Sequence, residues 1–272
     1  MAVVPVLVGS ALAWAEGASR AWPVLLSALL CALLIQVGTN LFNDVGDAVR
    51  GNDGPDREGP LRVTAAGLAA PQQVRHAAIC CFAAALLPGA YLVSAGGWPI
   101  LALGLASLFA GWAYSSGPRP LSYTAWGEAA VIVFFGIAAV VGSHYLQSGH
   151  FTGSAILTGL IVGAPAAAVL LVNNVRDVDA DRRVGRATLA AVLGPYRARW
   201  LYALLMLAPF LLLPLIGHPT ATGVALPASV LFLWLSWRFL ALQGGERFNA
   251  QLAHTAQAQM LLGLLICAGL LW

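Results

Sequence analysis

Residues 154–183 read SAILTGLIVGAPAAAVLLVNNVRDVDADRR, and the change of character inside this stretch decides the fold. From Ser154 to Val175 the run is apolar and long enough to cross a bilayer as a helix, which takes about 20 residues. At its end the polarity reverses: Asn173 and Asn174 are followed by Arg176, Asp177, Asp179, Asp181, Arg182 and Arg183. Polar side chains are costly inside a membrane helix unless they face a bundle interior or a water-filled cavity, so this helix end is a candidate site.

The rest of the chain fits the same frame. Of 272 residues 60% are hydrophobic and 9% charged, against roughly 45–50% and 25% in soluble domains. A water-soluble fold is excluded. Apolar segments near 22–42, 74–95, 98–114, 125–146, 154–175, 198–217, 221–242 and 250–272 predict eight spans, and residues 2–15 a shorter ninth. That first helix is expected to be tilted, interfacial, or preceded by further residues at the true start of the chain. The expected architecture is an all-α polytopic membrane protein, one domain over residues 1–272.

Numbering the helices alternately puts Arg50, Arg57, Arg62, Arg75, Arg119, Arg176, Arg182, Arg183, Arg186, Arg197, Arg199, Arg238 and Arg247 on one side and leaves Arg20 alone on the other. By the positive-inside rule the crowded side is cytoplasmic. The outer connections are short and nearly uncharged. Two cytoplasmic segments, about 43–73 and 176–197, are long and polar and hold eight of the eleven acidic residues. Cys31, Cys80, Cys81 and Cys267 lie in apolar runs without zinc or disulfide spacing. There is no glycine-rich phosphate loop, and no nucleic-acid partner is expected.

The two polar segments echo each other. Asn43-Asp44-Val45-Gly46-Asp47 is followed by Arg62-Val63-Thr64, and Asn174-Val175-Arg176-Asp177 through Asp181 by Arg186-Ala187-Thr188. At helical spacing Asp44 and Asp47 share one face, as do Asp177 and Asp181, while Asp179 points elsewhere. Gln36 and Asn40 should face the bundle interior. Four converging carboxylates need a cation, and an oxygen-only set that leaves room for phosphate suits Mg2+. Arg62, Arg182, Arg183 and Arg186 would then meet phosphate oxygens. A membrane enzyme that holds a diphosphate through metal and Arg points to a polyprenyl diphosphate donor and an electron-rich aromatic acceptor. Tyr114, Tyr123 and Trp126 flank the mouth of the fourth and fifth spans, either to shield a developing cation or as an interfacial belt. His144 is expected at the outer interface, away from the acids. A cation-coupled transporter is the rival reading; it would place the acids near the bilayer midplane.

These motifs, with Gly185-Arg186-Ala187-Thr188-Leu189 and the run from Gly46 through Asp53, Asp56 and Arg62, resemble the UbiA superfamily of intramembrane aromatic prenyltransferases. The likeness is strongest to its branch acting on 1,4-dihydroxy-2-naphthoate, and it extends through Tyr114, Arg119-Pro120 and Val133-Phe134-Phe135-Gly136. It implies nine helices around a central cavity, Mg2+, a polyprenyl diphosphate, and attack with loss of the acceptor's carboxylate as CO2, giving demethylmenaquinol. On this chain it implies Asp44, Asp47, Asp177 and Asp181 as metal ligands. It further implies Asn43, Asn174, Arg62, Arg186, Tyr114 and Tyr123 as substrate-binding residues, and Glu128 as a group that deprotonates or positions the acceptor. Other acceptors in the superfamily, 4-hydroxybenzoate and homogentisate, fit the same motifs. The superfamily pattern has another Asp four residues after Asp47; Gly51 stands there, and Asp53 or Asp56 would substitute.

Overall fold

The computed structural model describes residues 1–51, 59, 62–242 and 247–272. Among them it holds helices and no strands. Eight helices are long and apolar enough to cross a membrane. In chain order, α1 is Val3–Ala15, α2 Trp22–Val49, α3 Pro71–Gly96, α4 Trp98–Ser115, α5 Gly127–Ser148 and α6 Gly153–Arg176. The short helices α7 Val178–Arg183 and α8 Leu189–Leu193 follow, then α9 Pro195–Ile216, α10 Pro219–Ala241 and α11 Arg247–Leu271.

The thirteen-residue α1 rises only about 20 Å at 1.5 Å per residue, short of a hydrocarbon core of about 30 Å. It is neither interfacial nor exposed: Val4, Val6, Val8, Leu12 and their neighbours are buried against α5, α6, α11 and α2. The chain tolerates a short helix here because surrounding helices, not lipid, cover it. Gly9 lets α1 lie directly on α5, where a Cβ would collide with the Val140 carbonyl oxygen. At its outer end the Glu16 carboxylate meets His144 Nε2 at 2.7 Å and accepts from Ser154 Oγ at 2.6 Å. His144 is thus fully buried rather than interfacial as the sequence suggests, because Glu16 supplies the partner that an interior imidazole needs.

Helix α6 forms the centre, and its small residues explain why. Gly159, Gly163 and the run Ala166-Ala167-Ala168 let neighbours approach closely, as small residues do between membrane helices. Gly136 of α5 meets α6 so tightly that a Cβ would lie 2.7 Å from Gly163 Cα. At this crossing α5 widens into a π-helical stretch over Ile132–Ala138. Thr152 caps α6 by accepting from Ala155 N. Behind α6, α9 and α11 bury a polar node in which Tyr202 Oη bonds Thr255 Oγ1 at 2.8 Å and Gln251 Nε2 at 3.0 Å. On the other side α2, α3 and α4 pack together and, with α5 and α6, enclose a cavity of about 810 Å³.

Candidate active site at the polar mouth of the cavity

The cavity is apolar over most of its length and polar at one end. Gln36, Asn40, Asn43, Arg62, Tyr114 and Asn173 line that end, where α2 and α6 finish. Gln36 and Asn40 both face inward, and Gln36 accepts from Ala2 N at 2.6 Å. The two motifs meet just beyond.

In the first, Asp44 and Asp47 are buried on the last turns of α2. Asp44 accepts the main-chain N–H groups of Val63 at 2.9 Å and Thr64 at 3.0 Å, so it folds the returning loop back onto its own helix. That return brings Arg62 to Asp47 at 3.2 Å. With its amide oriented to satisfy both ends, Asn43 donates to Asp47 Oδ2 at 3.3 Å and Ser115 Oγ at 2.9 Å and accepts from Arg62 Nη2 at 3.2 Å. The third acid of this motif, sought at Asp53 or Asp56, lies outside the described residues.

In the second, helix α6 breaks at Asp177 and restarts as α7. Arg176, its side chain 1% exposed, donates Nε and Nη2 to the two oxygens of Asp177 at 2.7 Å each. It also donates to Asn173 at 2.7 Å and to Asn249 of α11 at 2.7 Å, so four of its five N–H donors are satisfied, as a buried guanidinium requires. One turn on, Asp181 is buried and bonded to Thr188 Oγ1 at 3.2 Å. Thr188 also caps α8.

Arg186 joins the halves. Its Nη1 lies 3.2 Å from Asp181 and 3.8 Å from Asp47, its other nitrogens reach the Ser122 carbonyl, and its guanidinium sits 5.1 Å over the Tyr123 ring. Arg50 stacks on the same ring at 5.4 Å and is fixed by the carbonyls of Ser115 and Gly117. Tyr123 is therefore a platform between two guanidinium groups, whereas Tyr114 lines the cavity itself and Trp126 is exposed. The three aromatics that look alike in the sequence have three surroundings.

Four free carboxylates do not converge. Among the described residues no three His, Cys, Asp or Glu side chains form a ready metal-ligand group; a guanidinium sits between the two buried acids instead. The donor set nonetheless suits a hard cation: it is all oxygen, and Arg186 marks where positive charge is needed. Burial pushes the Asp181 carboxyl up to about 6, opposed by Arg186 and assisted by the charge of Asp177.

Glu128 opens α5 beside this mouth and is buried. Asn174 donates to its Oε1 at 2.9 Å, while Oε2 has no partner among the described residues. Since nearly all buried polar atoms are satisfied, an unpartnered carboxylate oxygen calls for a ligand. Asp179 is 90% exposed and Arg182 leans toward it; Arg183 is exposed too. These two arginines stand outside the cluster, because α7 turns them away from Asp181. Arg50, Thr188 and Ser115 are contributors that motif reading passes over. Thr188 had a signal in the Arg-x-Thr echo, but Arg50 and Ser115 depend on helices meeting in space.

The sequence pattern of the UbiA prenyltransferase family matches residues 2–269. Relatives include the 1,4-dihydroxy-2-naphthoate octaprenyltransferase of Escherichia coli K12, 39% identical over 79% of this chain and 71% of that protein. The protein of the same name from Mycobacterium tuberculosis is 34% identical over 99% of this chain and 92% of its own length. Among solved structures, the apo UbiA homolog from Aeropyrum pernix K1 superposes with a TM-score of 0.72 at 14% identity, over 98% of this chain and 96% of that one. A UbiA homolog from Archaeoglobus fulgidus bound to DMAPP and Mg2+ gives 0.69 at 16% identity, over 99% and 96%. The structural likeness speaks to the fold, and the sequence matches to descent: this chain belongs to the UbiA prenyltransferase family.

Proposed function

We propose that this protein transfers a prenyl group from a polyprenyl diphosphate to 1,4-dihydroxy-2-naphthoate, with loss of diphosphate and CO2, giving demethylmenaquinol. The observation that carries the reading is the Arg186 bridge between Asp47 and Asp181, which gathers acid and guanidinium at the polar end of a long apolar cavity. Relatives named for that reaction at 39% and 34% identity support the choice of acceptor. The arginine distribution supports a site facing the cytoplasm from the cytoplasmic membrane.

Arg62 and Arg186 bind the diphosphate oxygens, for which forked guanidinium groups are suited. Asp47 and Asp181, which Arg186 already draws together, would hold Mg2+ beside them, joined by Asp44 and Asp177 on exchange of their bonds to the Val63 and Thr64 N–H groups and to Arg176; Asn43 orients Asp47. When bound, Mg2+ neutralises charge that develops on the departing diphosphate. The cavity walls keep water from the allylic carbon, and Tyr114 offers it a ring face. Glu128, steadied by Asn174, uses its free oxygen to accept a proton from an acceptor hydroxyl, which raises the electron density of the attacking carbon. The ring carbon then bonds to the prenyl C1 as the bond to diphosphate breaks, the carboxylate on that ring carbon departs as CO2, and the electron pair it leaves restores the aromatic ring as a naphtholate that takes the proton back from Glu128.

The test is an assay of membranes carrying the protein with dihydroxynaphthoate, a labelled prenyl diphosphate, and either Mg2+ or EDTA. The expected product has lost the carboxylate and forms only with metal. A product that keeps the carboxylate would mean another acceptor, such as 4-hydroxybenzoate. Cation flux without any prenylated product would mean a transporter, which the placement of the acids at helix ends argues against. Asp44→Asn and Asp177→Asn are expected to abolish turnover in folded, inserted protein, and near-normal activity in either removes the metal assignment.

A further inference from the structure

Away from the cavity, the ends of α10 and α11 on the arginine-rich side of the bundle hold a positive charge without a counter-ion. Arg238 stands in the last turn of α10 and is half-buried. The arginine–carboxylate pairs among the described residues are those of Arg62, Arg176, Arg182 and Arg186, so no acid answers Arg238 there. Its guanidinium lies 5.4 Å over the Trp234 ring, and its Nη1 meets His254 Nδ1 of α11 at 3.0 Å. An exposed Arg247 opens α11, two turns and about 10 Å before His254 on the same face.

The chemistry of this seam is one-sided. A guanidinium has donors only, so His254 Nδ1 accepts and its Nε2 carries the proton. His254 is exposed, and among the described residues it is the one polar partner of Arg238. The seam thus offers several N–H groups and no acceptor for them. A half-buried charge needs an anion or water to offset its lost hydration. The donors are also held in place. At the outer end a Cβ on Gly269 of α11 would come within 2.5 Å of Ala221 Cα of α10, and beside Arg238 the Gln251 Nε2 of α11 donates to the Leu235 carbonyl of α10 at 3.0 Å. None of the residues lining the central cavity belongs to α10, so the seam is separate from the prenyl-transfer site.

We infer that Arg238, His254 and Trp234 form a site for the phosphate of an anionic lipid in the cytoplasmic leaflet, with Arg247 adding charge beside it. A phosphodiester supplies the acceptor oxygens that the seam lacks, and a forked guanidinium is suited to them. Basic pockets between membrane helices on this side take such headgroups. Phosphatidylcholine would bring a second cation to a place with no carboxylate among the described residues, so phosphatidylglycerol is preferred. Val230, Leu233 and Trp237 are exposed at helical spacing along α10, an apolar strip for the acyl chains, and exposed indoles such as Trp234 and Trp237 suit the boundary between headgroup and chain.

The experiment is native mass spectrometry of the purified protein in a neutral detergent, titrated with an equimolar mixture of phosphatidylglycerol and phosphatidylcholine. It compares the unmutated protein with Arg238→Gln, His254→Leu and Arg75→Gln; Arg75 is an exposed arginine of α3, and its loss changes the net charge equally. The first lipid bound is expected to be phosphatidylglycerol. That preference should fall about fivefold or more in Arg238→Gln, the weight of one basic residue at an anionic membrane surface, fall in the same direction in His254→Leu, and stay within about twofold in Arg75→Gln. No preference in the unmutated protein overturns the site, and so does an equal fall in Arg75→Gln, which would mean attraction to overall charge. Displacement of the lipid by inorganic phosphate overturns the lipid assignment in favour of a free anion. If Arg238→Gln fails to fold, His254→Leu decides alone, and an unmoved preference there overturns the site.

Discussion

The end of α2 and the end of α6 carry the same kinds of residue, yet they use them differently. In the first half-site Asp44 holds the main chain, through the N–H groups of Val63 and Thr64, while Arg62 pairs with Asp47. In the second, Asp181 holds side chains, those of Thr188 and Arg186. A main-chain bond survives any substitution that keeps the loop's course, whereas a side-chain bond is lost with its residue. The second half-site should therefore be much the more sensitive, and Arg186, which serves both, the most sensitive of all.

Arg186→Ala should show the largest effect among the residues outside the acids. It removes the charge shared by Asp47 and Asp181 and one of the two guanidinium groups proposed to bind diphosphate, and loss of such an electrostatic donor costs about 10²–10³ in rate. Arg186→Lys should recover only part, because a lysine cannot span both carboxylates and rest on the Tyr123 ring. Steady-state kinetics on purified protein checks both. Arg186→Ala within about threefold of the unmutated rate would mean that the two half-sites act separately.

The matched threonines come next. Thr188→Val loses the hydroxyl that bonds Asp181 and caps α8, and a lost cap alone costs about 1 kcal/mol. We expect a lower melting temperature and about tenfold weaker Mg2+ activation. Thr64→Val should keep activity within about twofold, since the Thr64 main-chain N–H meets Asp44 and its buried hydroxyl bonds nothing among the described residues. Equal losses at the two positions would erase the distinction between the half-sites.

Proton linkage sharpens the same contrast. The Asp181 carboxyl stands at about 6, above its ordinary 3.8, chiefly through burial. Between those values the folded, metal-free protein binds a proton that the unfolded chain has released. Its stability is thus greatest below pH 4 on this account and falls as pH rises through about 6, a slope that Asp181→Asn should remove. Metal binding runs the other way: protons compete for the carboxylate, so apparent Mg2+ affinity should drop as pH is lowered below about 6. Titrating Mg2+-dependent activity at pH 5.5 and 7.5 in the unmutated protein measures it, and a pH-independent affinity there would remove Asp181 from the metal's ligands.

Much of the fold was legible because a run of about 20 apolar residues has few alternatives to spanning a membrane; α3, α6 and the later spans fall within a few residues of the segments read from the sequence, whereas α2 runs past the 22–42 segment to Val49 and carries the first acidic motif on its last turns. The pairing of Asp44 with Asp47, and of Asp177 with Asp181, follows from helical spacing. What stayed hidden depends on separate helices meeting. The π-helical stretch of α5 arises where Gly136 reaches Gly163. The partner of His144 is Glu16, 128 residues away, and Arg50 finds Ser115 across α4.

The smallest expected effect tests how far adjacency in sequence can be trusted. Arg182, Arg183 and Arg186 form one basic cluster on paper, and all three seem equally placed to meet phosphate. In the folded chain α7 ends between them: Arg182, its side chain about half exposed, reaches Asp179 at 3.8 Å and the Ala191 carbonyl at 3.3 Å. Exposed pairs of this kind contribute about 0–1 kcal/mol. Arg182→Ala should thus leave kcat and KM within about twofold and the melting temperature nearly unmoved, in the same assay that shows a large loss for Arg186→Ala. A loss in Arg182→Ala approaching that of Arg186→Ala would mean that α7 rotates during turnover and brings both guanidinium groups to the donor, and the contrast between a fixed second half-site and a loop-built first one would have to be redrawn.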